Sequence, residues 1–493
     1  MAEKVQFHDR RYIGTKETIA YCLFDSSKSV NISAYSGRFN LDLVKIDFGW
    51  GAVAGVIGGV WDIINDTFSG LLVDKTQTRW GKFKPYLLAF AIPGTIFGIL
   101  GWLTPYFFDR NPKNIKKLIY SMTLGMTGEL MGTFRSFAET GFISSISPNP
   151  QDKVLLFTVA EVISGLWESF PSMFMGLLID LINHNKIAMS MESAYLSMGT
   201  FCAVYGGIAA LIYFSVAKER IAQSIEKPSF RDGLKTILNN RPMMIMMLSD
   251  LMNTFKFDTG TQNYFADVLG TVSLQNIIVI PGAPLSILSY TYLPWAQKKF
   301  STKALWIFGD MQKDITNLLI FIIGSIGGKG KGGLYHKVFI MGAAYIFKDI
   351  IYKSTLSVYK IIPKMMMTEA LDYCEWKNGY RTEGTTLAVK GLIQKIAGVV
   401  IGPLRNIIMI KIGYSLKAGF GKQTDRTKYL LFACCTLLPG LTGLLSNIPK
   451  FFYKGSLETR DRMYAELAQM RAVKRRAIQE REDELQKSND QLN

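Results

Sequence analysis

The chain has 493 residues, 48% of them apolar, including 31 Phe and 22 Met. Only 19% are charged, the net charge is +17, and the mean hydropathy is +0.16. That balance fits about a dozen apolar spans with polar loops and a charged tail, not a nucleic-acid-binding domain, because most cations sit in loops beside apolar runs, where anionic lipid is the nearer partner.

Cysteine and histidine chemistry is equally narrow. Cys22, Cys202, Cys374, Cys434 and Cys435 lie in or near apolar runs and show no C-x-x-C spacing, so they read as small apolar residues, not as a disulfide framework. His8, His184 and His336 fall in the terminus or loops, so neither a zinc site nor a Ser-His-Asp constellation can be drawn, and an enzyme is not expected. The N-terminus, MAEKVQFHDRR, lacks an apolar run before a cleavage site, so no secretory signal is expected.

The spans follow in order. Span 1, about 18–37, is unusually polar and holds Asp25 and Lys28, either a functional charge pair or a structural one at i, i+3. Asn31-Ile-Ser33 matches a glycosylation sequon but lies within this span. Span 2, about 45–73, carries Asp62, Asn65 and Asp66, which helical periodicity places on one face. A carboxylate near a bilayer centre costs at least ~2.5–3.5 kcal/mol on insertion scales, and two on one stripe repel. A bound cation or a shared proton is the natural way to hold them, and their oxygens suit Na⁺ or another hard ion. A cationic turn follows, with Asp74, Lys75, Arg79, Lys82 and Lys84.

Span 3 is about 86–107, and span 4, about 117–141, holds Glu129, Thr133, Arg135, Ser136 and Glu139 before the double-proline turn Ser147-Pro-Asn-Pro. Span 5, about 154–182, carries Glu161, Glu168 and Asp180; span 6 is about 192–216. The charged stretch 217–242 separates the two halves. Span 7, about 243–268, is interrupted by Lys256 and Asp258; spans 8, 9 and 10 are about 273–296, 304–326 and 338–362. Gly327–Gly333, GGKGKGG, is not a phosphate loop, since it lacks the G-x-x-x-x-G-K-[ST] order. Leu371–Glu383 reads as a dense polar loop with Asp372, Glu375, Arg381 and Glu383. Span 11, about 384–412, contains Lys390 and Lys395, and span 12 is about 428–452. The charged pattern of 455–489 suggests a helix lying against the protein or the membrane surface.

Two stretches carry a family resemblance. Gly70-x-Leu72-x-Asp74-Lys75 resembles the loop signature of the major facilitator superfamily. Trp61-Asp-x-x-Asn-Asp66 followed by Arg79-Trp-Gly-Lys-Phe-Lys-Pro85, and Asp372-Tyr to Glu383, resemble the glycoside–pentoside–hexuronide:cation symporters. The resemblance implies an all-α integral membrane protein with 12 transmembrane helices in two bundles, 1–216 and 243–452, joined by the 217–242 loop and followed by the tail 453–493. It implies a monomer in the cell membrane, both termini cytoplasmic, that binds a small solute and a coupling cation, Na⁺ or H⁺, and needs no cofactor and no nucleic acid.

Residue by residue, the resemblance implies a cation site at Asp62, Asn65, Asp66 and Thr133. Asp25 and Lys395 fall at the family's substrate positions, whereas Ser136, Thr140 and Glu161 stand where its sugar-gripping aspartate, tryptophan and arginine belong, which makes an α-galactoside a poor fit. Asp74, Lys75, Arg79, Asp372, Glu375, Arg381 and Glu383 are the implied gating charges. The expected mechanism is that a cation neutralises Asp62 and Asp66 and lets Lys395 and Asp25 take the productive arrangement for the solute. The competing readings are a carrier of another anionic or amphipathic solute, with Arg135, Lys390 and Lys395 as acid-binding groups, and a non-transporting sensor with the tail as output.

Overall fold

The computed structural model describes residues 13–76, 78, 83–147, 150–218, 240–257, 260–330, 332–378, 383–453, 462–463, 465–467 and 469–470. Side-chain caps open many of the helices. Asp47 accepts from the N–H groups of Gly49 and Trp50 at 2.9 and 3.3 Å to start α2 (Phe48–Lys75), and Asn114 caps α4 (Ile115–Ser145) in the same way. Ser190 opens α6 (Met191–Val216), Asn240 opens α7 (Arg241–Thr254), Ser301 opens α9 (Thr302–Ser325) and Thr424 opens α13 (Asp425–Ser446). Between them run α1 (Thr15–Ser29), α3 (Lys84–Trp102), α5 (Pro150–Asn183), α8 (Ala283–Lys299), α10 (Val338–Ser354), α11 (Leu356–Asn378) and α12 (Glu383–Lys411). Phe48–Asp66, Lys84–Trp102, Met191–Val216, Val389–Lys411 and Asp425–Phe451 are long and apolar enough to cross a membrane unaided.

The core is divided along the chain. One apolar cluster joins α1, α3, α4, α5 and α6 through Phe24, Leu87, Phe134, Leu156 and Tyr213. Another joins α7, α8, α9, α11 and α12 through Met246, Leu293, Trp306, Ile362 and Val389. The face carrying Glu17, Lys218 and Asn240 is called here the terminal face, and the one carrying Asp47 and Asp180 the far face. At the far face the clusters interpenetrate: Ala266 and Val272 pack among residues of the first half, and Leu41 and Phe48 against those of the second.

The halves touch along α2 and α12. Gly51, Gly55 and Gly59 recur every four residues on α2 and face Asn406, Pro403 and Val399. A Cβ on Gly59 would stand 2.7 Å from Val399, so the small residues set how closely the two helices approach. One turn further along the same stripe come Asp62 and Asp66.

Among the described residues the first, seventh and tenth passes are interrupted; the interruption expected in span 7 at Lys256 is present, and the other two carry no signal in the apolar runs. After α1 the chain breaks at Val30–Ile32, where Asn31 Oδ1 accepts from Ser33 N at 3.0 Å and its amide donates to Lys28 O at 2.5 Å. The sequon residues thus build an Asx turn inside the pass. The pass resumes as short helical turns and ends in a π-helical turn, Asn40–Val44, with Lys45 left-handed at φ 55°. After α7 the chain breaks before Gly260, whose φ of +93° suits glycine, and resumes to a π-helical turn, Phe265–Leu269, with Gly270 left-handed at φ 74°. Asp25 and Asp250, Asp42 and Asp267, and Lys45 and Gly270 stand at one constant separation along the chain, so the two broken passes are copies of one design. The third break, at Thr355, divides α10 from α11.

The far face is closed by polar ties between the halves. Arg38 holds Asp42 of its own pass, with Nε–Oδ2 at 2.7 Å, and Asp267 of the other half, with Nη1–Oδ2 at 2.5 Å and Nη2–Oδ1 at 3.1 Å. Tyr414 Oη donates to Asp267 at 2.8 Å. Beside this cluster Asp180 of α5 accepts from the N–H groups of Val272 and Ser273 at 2.6 and 2.8 Å, and Asn276 donates to Tyr35 Oη at 3.0 Å.

At the terminal face the polar stretch expected as a loop from Leu371 is helix as far as Asn378, with Asp372 and Cys374 buried. Its apolar positions Leu371 and Cys374 keep helical spacing, and this outweighs the density of charge. The tail docks here. Met463 and Leu467 are buried, and Trp376 Nε1 donates to Glu466 Oε2 at 2.6 Å. The hydrogen bond from Arg462, then that from Trp376, holds the Glu466 carboxyl below the ordinary carboxylate range.

Arg38 and Asp267 are both 1% exposed, so losing Asp267 removes one of the two carboxylates that hold Arg38 and leaves the guanidinium to Asp42 alone. Asp267→Ala is expected to lower the thermal midpoint and to open the far face to thiol reagents at Tyr35→Cys. An unchanged midpoint together with a protected cysteine would refute the clamp.

Candidate functional site

The acid stripe of α2 faces both α4 and α12. Asn65 Nδ2 donates to Thr133 Oγ1 at 3.0 Å, and Thr133 Oγ1 donates to Asp66 Oδ1 at 3.2 Å. Ser69, one turn on, donates to Asn65 Oδ1 at 2.9 Å. Trp61 Nε1 donates to Met126 O at 2.9 Å and fixes α2 against α4. Asp62, Asn65, Asp66 and Thr133, read from the sequence as one site, are therefore brought together.

Lys395 of α12 lies in the same place. Its Nζ is 3.0 Å from Asp62 Oδ1 and also bonds Asp66 Oδ2. The three side chains are 30–36% exposed, so the acids sit in a wet cleft between the halves, where solvent screens the attraction. An ammonium occupies the position that hard oxygen ligands would offer a small cation. Glu129 of α4 lines a neighbouring cavity of about 430 Å³ with Asp47, Gly58 and Asn406. Its place in span 4 was visible in the sequence; its nearness to the stripe follows only from packing.

Asp25, expected with Lys395 at the substrate positions, makes other contacts here. Asp25 Oδ1 pairs with Lys28 at 2.7 Å, and Asp25 Oδ2 accepts from Ser164 Oγ at 2.9 Å. Lys28 also pairs with Glu139 of α4. A chain of charge thus ties α1, α4 and α5, and Asp25 points away from α12. The i, i+3 spacing of Asp25 and Lys28 accounts for the difference, since their contact costs no long-range approach. Lys390, expected as an acid-binding candidate, pairs with Asp250 at 2.5 Å.

Ser136 is exposed and lines no described cavity. The side chains of Asp74, Lys75, Thr140, Glu161 and Glu383 lie outside the described residues, as do Arg79 and Arg381 entirely. Asp372 and Glu375 lie on the last turns of α11.

A cavity of about 620 Å³ opens inside the first half, between α1 with its break and α4. Its back wall is α3 and α6, which are in close contact: a Cβ on Gly199 would stand 2.2 Å from Trp102, and one on Gly207 2.2 Å from Thr95 Oγ1. Arg135 lines it, with Nη2 donating to Ser27 Oγ at 2.8 Å and the guanidinium 4.9 Å from the Phe24 ring centre. Arg135 and Thr133, two residues apart on α4, hang the cavity and the acid stripe on one helix.

Comparison with known proteins agrees with this architecture. A family model described as MFS/sugar transport protein matches residues 18–455. The chain is 23% identical over 407 residues to the isoprimeverose transporter of Lactiplantibacillus pentosus, covering 81% of this chain and 80% of the relative. It is 25% identical over 476 residues to the inner membrane symporter YicJ of Escherichia coli K12, covering 93% and 95%. The crystal structure of a D-xylose-proton symporter superposes with a TM-score of 0.56 at 14% identity, covering 90% of this chain and 98% of that one. A helical chain with an acid stripe on α2 and a family model spanning both halves belongs to the MFS/sugar transport protein family, the sugar-transport branch of the major facilitator superfamily, and is a multi-pass membrane transporter, not an enzyme.

Proposed function

We propose that the chain couples the movement of Na⁺ or H⁺ to that of a sugar or sugar acid by alternating access, with both termini on the cytoplasmic side. The observation that carries this reading is the ammonium of Lys395 seated on Asp62 and Asp66 across the boundary between the halves. Two acids in a membrane need a positive partner. In the cation-free carrier that partner is tethered to α12; in the loaded carrier it is the transported ion.

An arriving cation competes with Lys395 for the same oxygens. Winning that competition removes a tie between α2 and α12, which lets the halves rock, and it frees an ammonium beside the cleft. Thr133 passes the change to α4, because the hydroxyl that bonds Asp66 also receives the Asn65 amide. A carrier with only one of the two ligands leaves a charge without a partner, so it crosses slowly, and this ties the two fluxes together. The two bundles, 1–216 and 243–452, are the rocking bodies. The names of the isoprimeverose transporter and of YicJ, a symporter, support a sugar-type solute and an ion partner.

Two variants test the reading. Asp66→Asn is expected to abolish cation-dependent uptake in vesicles while thermal unfolding stays cooperative; uptake with its full cation dependence would overturn the assignment. Lys395→Gln removes the internal competitor, so the apparent affinity for the coupling cation, followed by thermal shift against Na⁺ concentration and against pH, is expected to rise by about tenfold as the competent fraction grows. Unchanged or weaker cation affinity in Lys395→Gln would show that the lysine does not occupy the ion's place.

A further inference from the structure

Among the described residues that line the cavity of the first half, Arg135 is the one with a formal charge. It makes no ion pair among the described residues: its Nη2 donates to the neutral hydroxyl of Ser27, and its plane rests on Phe24. The acid nearest along the helix, Glu139, one turn away on α4, is paired with Lys28. Several other described intramembrane cations have carboxylates: Lys28 has Asp25, Lys256 has Asp314, Lys390 has Asp250, Lys395 has Asp62 and Asp66, and Lys450 has Asp310, whereas Lys313 faces the Tyr352 and Tyr359 rings and Lys348 donates to Asn317 Oδ1, and neither of these two lines the cavity. A guanidinium left with a hydroxyl beside a cavity of about 620 Å³ is a cation waiting for a ligand.

We propose that this cavity is the solute site and that Arg135 selects a water-soluble solute carrying an acidic group, a carboxylate or a sulfonate, over its neutral counterpart. This rests on the transport reading above and adds the chemical class of the solute to it. The volume lies within the range of small-ligand sites and suits a one- or two-ring sugar. Arg135 offers a planar fork to a planar or tetrahedral acid. At the opposite end the break in the first pass presents Asn31 and Ser33, and Asn40 lies beyond, so hydroxyls of the same solute meet amide and hydroxyl groups. Phe24, Phe90 and Trp102 supply flat apolar walls for ring faces. The close contact of α3 with α6 forms the back of the cavity, opposite α1 and α4. Among the described residues no acid lines the chamber, so they offer no counter-charge for an amino sugar.

The site also explains why a cation is needed. An acidic solute brought to Arg135 adds a negative charge near an acid stripe that already holds two. A cation on Asp62 and Asp66 offsets it, and Thr133 and Arg135, two residues apart on α4, transmit occupancy of either site to the other.

The test uses the full-length protein purified in detergent, with Na⁺ and with choline in its place. The probes are matched pairs, methyl glucuronide against methyl glucoside and 6-sulfo-6-deoxyglucose against glucose, plus phosphatidylglycerol alone. Thermal stability and direct titration are the readouts, for the wild type, Arg135→Gln and Arg135→Lys. The expected result is that an acidic member binds the wild type at least tenfold more tightly than its neutral partner. Arg135→Gln erases that preference, Arg135→Lys keeps part of it, and both variants retain the stabilisation by Na⁺ alone. A neutral member bound as tightly as the acid, a preference that survives Arg135→Gln, a wild type that no acidic probe stabilises, or stabilisation by the lipid alone each overturns the proposal. A wild type that prefers the acid but responds neither to Na⁺ nor to pH leaves Arg135 in place and removes the coupling reading instead.

Discussion

The structure depends on the cost of a lone charge in a membrane. The acids of α2 are tolerated because Lys395 reaches them from α12, and this contact is possible because Gly51, Gly55 and Gly59 bring the two helices together. Apolar contact within each half is extensive, but between the halves the described polar ties are few and specific. They lie at two levels: the acid stripe in the cleft, and the Arg38 and Asp180 clusters at the far face. A joint made of a few charged contacts can be exchanged for another set at modest net cost, whereas a packed core cannot slide without voids. On the proposed alternating-access reading, the placement of charge is what lets the boundary between halves move.

The same rule gives the C-terminal half a rigid interior. Asp314 and Asp310 of α9 are matched by Lys256, from the break after α7, and by Lys450, with Asn447 joining the two pairs. Lys450 is fully buried and also faces the Trp306 ring at 5.0 Å. These groups are satisfied within one half, so they pin the broken pass to α9 and α13 without linking the halves. The chain places its closed networks inside bundles and its open or shared charges at the boundary and in the cavity.

Much of this was legible in the sequence where the signal is local. Asp62, Asn65 and Asp66 share a face by helical period alone, and Thr133 joins them as the family resemblance implies. The glycine stripe ahead of them was equally readable as a small-residue helix contact. The break in span 7 was legible from its charges at Lys256 and Asp258; the other two were not, because Val30 and Thr355 are neither proline nor glycine, and the Asx turn at Asn31 looks in sequence like a sequon. The pairing of Arg38 with Asp267 joins residues far apart in the chain, and no periodicity encodes it. Lys395 was read at a solute position from its place in the family; the structure puts its ammonium on the two carboxylates of α2. The polar run from Leu371 was misread because charge density masked an apolar face that continues the helix.

The duplicated pass carries a further consequence. Asp42 and Asp267 are equivalent positions, yet Arg38 serves both, and the position in the second half that corresponds to Arg38 is Asn263. The far-face joint is thus one cation shared by two acids and has no twofold symmetry. If the halves part at that face, Arg38 stays with Asp42, one turn away on its own pass; Asp267 keeps the Tyr414 hydroxyl but loses its cation, and Asp180 of the first half loses its donors from Val272 and Ser273. Each lip of the opened mouth then carries a carboxylate without a cation, a field that attracts cations and repels anions.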